Sequence, residues 1–150
     1  MPSTIVNSSS AYGQTSGTDG AFQVVAWFKN SSASTTITAN QLVSFDSQTT
    51  DIVPTVQVTG TGGDDALIAG VSLESIAPGK VGRVVVLGYA VVKYTGSAPS
   101  AGHLGKHSGS TAGSAVFADG AATDVVGDIR LKALGGQIGS TGTCAAWVNV

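Results

Sequence analysis

The sequence predicts an all-β fold, a single-domain β-barrel or β-sandwich preceded by a flexible N-terminal arm, and three observations carry that prediction. The first is the stretch from Ala66 to Tyr94, in which two apolar runs are joined by Ser75-Ile76-Ala77-Pro78-Gly79-Lys80. Pro78 presets φ for the second position of a type II turn and Gly79 supplies the positive φ that the third requires, so the segment reads as a hairpin. The second is the strand after that turn. Val84, Val85, Val86, Leu87, Val91 and Val92 fill both alternating faces with no helical period, and β-branching favours a pleated backbone. A strand that is apolar on both faces has to be covered on both. The third is composition: 21 glycines among abundant Ser, Thr, Ala and Val supply small polar turns between short strands.

Taken in order, residues 1–20 are rich in Ser, Thr and Gly with few apolar anchors, and read as an arm that gains order on a partner. The domain proper runs over 21–150. Phe22 to Phe28 (FQVVAWF) is the first strand, closed by Lys29-Asn30-Ser31-Ser32. Thr35 to Ile37 leads into Asn40 to Asp46, where Leu42, Ser44 and Asp46 share one face and Val43 and Phe45 the other. A polar turn at Ser47 to Asp51 precedes Ile52 to Thr59. Pro54 has no N–H to give a ladder, which places that segment at an edge or a strand start. Gly60 to Asp65 is a loop into the hairpin, and Ala66 to Ser75 has room for one short helical turn.

Thr95 to Ser114 is Gly, Ser and Ala with no period, and reads as a long functional or mobile loop. Val116-Phe117-Ala118 precedes Asp119-Gly120, a hairpin turn signal. Val125 to Leu134 sets Ile129 and Leu131 against Asp128, Arg130 and Lys132, as a half-solvated strand does. The last strand is Cys144 to Val150, after the Gly-rich Gly135 to Gly142. No segment supports a helix of three turns.

Composition excludes several function classes. Charged residues are 11% of the chain, with Glu74 the sole glutamate, against a usual share of about 25%. A surface so poor in charge predicts extensive cover by other protein, although a Ser/Thr-rich neutral surface gives the same composition. A net charge of -2 with seven scattered basic residues argues against nucleic acid, which needs clustered Lys and Arg. Cys144 is alone, so no intrachain disulfide forms. Met1 to Ser10 lacks a basic start and an apolar core, and the apolar runs fall well short of the roughly 18 residues of a membrane span, so a soluble protein without an export signal is expected.

Candidate chemistry is sparse. His103 and His107 flank Lys106, but Gly102, Gly105 and Gly109 argue against the helix that would align them, and no third ligand accompanies the pair. Gly105-Lys106-His107-Ser108 lacks the glycine offset and the Ser or Thr after lysine of a phosphate loop. Gly109 to Gly113 centres on Thr111 outside any βα unit, and so is no nucleophile elbow. Asp46, Asp51, Asp64, Asp65, Asp119, Asp124 and Asp128 sit beside turns, where carboxylates cap backbone amides. Trp27 and Trp147 lie among apolar strand neighbours and are expected in the core or an interface, the alternative being a stacking platform for sugars. No catalytic residue, cofactor site, metal site or small-molecule substrate is expected.

The segment Asp64 to Glu74 (DDALIAGVSLE), followed by Ala77 to Ala90 (APGKVGRVVVLGYA), resembles the small proteins that decorate tailed-phage capsids. Those families carry an "aGVaLe" strand followed by an "aaGe-grV-v-G" turn and strand. Asn40 to Asp46 is similar to their "GdlV" segment, and Gly127 to Leu131 repeats the "Gd" opening. The likeness spans Leu42 to Leu131, and departs from the pattern at Lys80, which replaces an acid, and in the longer 95–114 stretch.

The resemblance implies a decoration, or cement, protein of the virion: made in the host cytoplasm, homotrimeric, bound to the outer capsid surface and to the major capsid protein, with no cofactor. On that reading Ile5, Val6 and Tyr12 in the arm contact the capsid, and Val84, Val86, Tyr89, Val91 and Trp147 form the oligomer interface. The alternative is a glycan- or host-surface-binding module of a phage head or tail fibre, using Trp27, Trp147 or the loop around His103. A β-fold hydrolase is the remaining reading and needs His107 to meet an aspartate and a serine.

Overall fold

The computed structural model of the chain describes residues 12–14, 22–46, 53–61, 68–118, 131–138 and 142–150. These are all-β, with no helix among them. The strands are β1 (Tyr12–Gln14), β2 (Gln23–Asn30), β3 (Leu42–Phe45), β4 (Thr55–Val58), β5 (Ile68–Ser72), β6 (Val81–Lys93), β7 (Leu104–His107), β8 (Ala115–Ala118), β9 (Leu131–Gln137) and β10 (Thr143–Asn149). They join in the order β1-β2-β4-β3-β5-β6-β10-β9-β7-β8, and a further pairing of β2 with β6 closes β2-β4-β3-β5-β6 into a five-stranded barrel.

The hairpin organises this arrangement. Gly79 has φ of 71° and Lys80 N–H donates to Ala77 C=O at 3.0 Å, so Pro78 and Gly79 form the expected turn. The strand that follows is 13 residues long and serves both the barrel and the strands beyond it. Its residues Val81 to Gly88 pair with β2, and Leu87 to Lys93 pair with β10. Beyond the barrel, β10, β9, β7 and β8 extend from the far half of β6, and an isolated bridge returns β8 to it at Tyr94 and Ala115.

Period-two alternation then sorts apolar residues into two cores. Ala26, Val43, Ala69 and Val84 pack together inside the barrel with Phe28, Val56, Ile37 and Ile76. Their sequence neighbours Val25, Leu42, Ile68 and Val85 belong to a second cluster, which includes Ala90, Val92, Leu131, Cys144 and Val148. Because successive strand residues point to opposite faces, the second cluster lies between the barrel wall and the extended sheet. Each fully buried valine contributes about 1.5–3 kcal/mol through removal of apolar surface from water. The expectation that the hairpin's second strand is covered on both faces is met at Val84 and Val85, both fully buried, but not along its whole length, since Tyr89 and Val91 are only half-buried.

One end of the barrel is plugged by Ile37 and Ile76, whose backbones exchange hydrogen bonds of 3.0 and 2.8 Å. Asn30 pins this plug. Its side-chain amide is fully buried and donates to Thr35 C=O at 2.8 Å and Ile76 C=O at 2.9 Å, while Oδ1 accepts from Ser32 N–H at 3.0 Å. Nearby, Glu74 and Arg83 form a two-pronged ion pair, Nη2 to Oε2 at 3.1 Å and Nε to Oε1 at 3.2 Å. The guanidinium hydrogen bond holds the Glu74 carboxyl below its usual range. The pair is well exposed, so solvent screening leaves it a small role in stability.

Several expectations need correction. The stretch 95–114 contains β7, and Ser108 Oγ closes a turn by accepting from Ser110 and Thr111 N–H at 3.2 and 3.0 Å. β7 is hydrogen-bonded between β8 and β9, and a Cβ at Gly105 would collide with Phe117 and Leu131. Ala66 to Ser75 contains strand β5 from Ile68, with no helical turn among its described residues. Thr35 to Ile37 yields only the bridge at Ile37. Pro54 does stand just before a strand, and its C=O accepts from Lys29 N–H at 3.0 Å, but β4 is flanked by β2 and β3 rather than lying at an edge. The Asp119-Gly120 turn, the segment 125–130 and the arm apart from 12–14 lie outside the described residues.

Candidate binding face

One transverse row of residues crosses the extended sheet from β6 to β8. Tyr89 on β6, Trp147 on β10, Lys132 on β9, Leu104 on β7 and Ala118 on β8 are successive Cα partners across five strands. The adjacent row, Gly88, Val148, Leu131, Gly105 and Phe117, is buried against the core. Pleating therefore turns the first row outward. Trp147 is 39% exposed and Leu134, two residues from Lys132, is 46% exposed. Val91, opposite Ala145, continues the face along β6.

A second aromatic joins from the barrel. Phe22 is 43% exposed and stacks on Trp147, with ring centroids 6.2 Å apart and planes inclined by 16°. The approach depends on Gly88, whose φ is +101° and where a Cβ would sit 2.2 Å from the Phe22 carbonyl oxygen. That oxygen accepts from Tyr89 N–H at 2.9 Å, and Gln23 Nε2 donates to Tyr89 C=O at 2.8 Å. The start of β2 is thus tied to β6 on both sides of Tyr89, which sets the Phe22–Trp147 stack beside half-buried Tyr89. Offset aromatic stacking contributes about 0.5–1.5 kcal/mol beyond area burial.

The sequence-predicted interface residues divide. Tyr89, Val91 and Trp147 lie on this outward face. Val84 does not: it is fully enclosed in the barrel core and presents no surface to a neighbour. Val86 is partly buried against that same core, at a bulge where Val24 pairs with Leu87 and Val25 with Val85. Tyr12 pairs with Ala26 of the chain's own β2, while Ile5 and Val6 lie outside the described residues. Trp27 and Trp147 are both exposed, Trp27 by 50%, so of the core or interface that their apolar neighbours suggested, neither occupies the core. Phe22, Lys132, Leu104 and Leu134 escaped sequence reasoning as members of one face. The alternation of Leu131 with Lys132 was the available signal.

Of the residues weighed for chemistry, Asp51, Asp64, Asp65, Asp119, Asp124 and Asp128 lie outside the described residues. His103 Nδ1 accepts from Ser100 N–H at 3.4 Å and His107 sits in β7 opposite Ala115. Ser108 is buried within its own turn. Cys144 is fully buried, and burial pushes its thiol up to about 11, so it is neutral and unreactive at pH 7. Among the described residues, no group of three or more His, Cys, Asp and Glu side chains converges as metal binding requires, and no helix is long and apolar enough to cross a membrane. No protein-family model, curated protein or solved structure matches this chain.

Proposed function

We propose that the chain is a non-enzymatic virion structural protein that binds the outer surface of a phage capsid and stabilises the mature shell. The observation that carries this reading is the outward face of the extended sheet, where exposed Phe22 and Trp147 stack, half-buried Tyr89 stands opposite Trp147 on the ladder, and Leu134 is exposed on β9. Exposed apolar groups that are contiguous rather than scattered mark surfaces that meet other protein. The low charge of the chain and the likeness of its central hairpin to capsid decoration proteins support the same reading.

Physically, a protein that binds an assembled lattice and not its separated subunits stabilises the lattice by mass action, by about 2.7 kcal/mol per site at a free concentration 100 times Kd. Assembly as a homotrimer links such contacts, so weak individual sites act together. The major capsid protein is the proposed partner, and the chemistry asks for no cofactor. The test is to add purified protein to expanded and to unexpanded shells, and to measure bound protein by co-sedimentation and shell survival on heating. Saturable occupancy with a raised disruption temperature on expanded shells is expected. Empty shells of unchanged heat resistance would overturn the reading.

A second reading rests on the exposed, nearly parallel Phe22 and Trp147 rings, which would serve a host-surface or glycan-binding module as a sugar platform. Glycan binding that disappears in Trp147→Ala while the fold is retained would favour it over decoration.

A further inference from the structure

We propose that the outward face around Trp147 is the capsid-docking surface itself, and that it fits a protein surface with an apolar centre rimmed by carboxylates rather than a second copy of this chain. The inference rests on the decoration reading and adds the face and the chemistry of its partner. Phe22, Tyr89, Trp147 and Leu134 supply the apolar centre. Lys132 stands within that centre, paired across the ladder with Trp147 on one side and Leu104 on the other. Lys106 lies on β7 of the same sheet.

Charge selects the occupant. None of the five strands β6, β7, β8, β9 and β10 contains an Asp or a Glu, while they carry Lys93, Lys106 and Lys132 beside the hairpin's Arg83. Arg83 is satisfied by Glu74, and Lys93 Nζ donates to Thr38 Oγ1 at 2.6 Å. Lys132 and Lys106 are left to meet whatever covers the sheet. If two copies met face to face about a two-fold axis, the described residues of the five strands would bring cations and no carboxylate to the contact, and like charges held together without acceptors oppose association. A partner with carboxylates around an apolar patch satisfies the lysines as the rings are buried. Buried aromatic anchors then dominate affinity, and the lysines set register and salt dependence.

The test uses the full chain and four variants: Trp147→Ala, Lys132→Glu, Lys132→Gln, and Trp27→Ala as a control on the barrel wall. Occupancy on expanded shells is measured at low and high salt, and the solution mass of each variant is measured in parallel. Trp147→Ala and Lys132→Glu are expected to weaken shell binding by about tenfold or more, with unchanged solution mass and thermal midpoint. Trp27→Ala should bind as the wild type does, and Lys132→Gln should reduce the salt dependence. Wild-type occupancy by Trp147→Ala and Lys132→Glu would overturn the face while leaving decoration standing. Variants that lose occupancy only because their solution oligomer dissociates would make the face a contact between copies and overturn the proposal. Wild-type protein that leaves shells bare would overturn the decoration reading and this inference with it.

Discussion

Val84 and Val85 are consecutive and both fully buried, yet they belong to different cores, Val84 inside the barrel and Val85 between the barrel wall and the extended sheet. Their side chains share no cluster, so truncating each opens a separate cavity. Val84→Ala and Val85→Ala should each cost about 2–3 kcal/mol. The double variant should lose the sum to within about 0.5 kcal/mol, despite the adjacency. Urea unfolding of the three variants measures this, and a strongly non-additive double variant would mean that the two cores are one.

Gly88 governs the aromatic group. An added Cβ would meet backbone atoms of Phe22 that cannot swing aside, at a φ that side chains rarely adopt. Gly88→Ala should therefore destabilise by roughly 2 kcal/mol or more and separate Phe22 from Trp147. In a Trp27→Phe background, Trp147 emission reports the separation directly, and an unchanged spectrum with full stability would refute the role given to Gly88.

Asn30 is a donor hub, because Thr35 and Ile76 carbonyls both accept from its amide. Asn30→Asp removes both donors and places a carboxylate against two carbonyl oxygens, a loss of about 2–4 kcal/mol near neutral pH. The introduced acid has its folded pKa raised, so the protonated form is favoured in the native state. The variant should recover part of its stability as pH falls toward about 4, the opposite of ordinary acid weakening. Chemical denaturation at pH 7 and pH 4 decides it.

The hairpin turn was legible in the sequence because its determinants are local: Pro78 and Gly79 set their own backbone angles. Lys132 and Leu131 were likewise legible as opposite faces. Strand β7 was not, since Gly105 gains its place only from Phe117 and Leu131, which pair with it from distant parts of the chain. Nor were the exposed tryptophans. A strand apolar on both faces gives no parity by which to tell the solvent side, and the bulge at Val86 shifts the alternation between Val84 and Tyr89. Asn30 read as a strand-closing polar residue because its acceptors, Ile76 above all, lie far along the chain.

Cys144 predicts an alkaline effect. The native thiol keeps its proton to about 11 because it is buried, whereas the unfolded thiol titrates near about 8.5. Its raised folded value means that this contribution is complete below about pH 8.5 and is lost as pH rises toward about 11. The stability advantage of the wild type over Cys144→Ala should therefore shrink between pH 8 and pH 11. Native Cys144 should also label with thiol reagents only as fast as the protein opens, so prompt labelling at pH 7 would contradict its burial.

The most direct measurement of the central claim is a reconstruction of expanded shells saturated with the protein. The barrel should stand on the shell with the Phe22, Tyr89 and Trp147 face against capsid protein, and capsid carboxylates should lie beside Lys132. A bound molecule whose Trp147 face points to solvent, or a shell without added density, would contradict it.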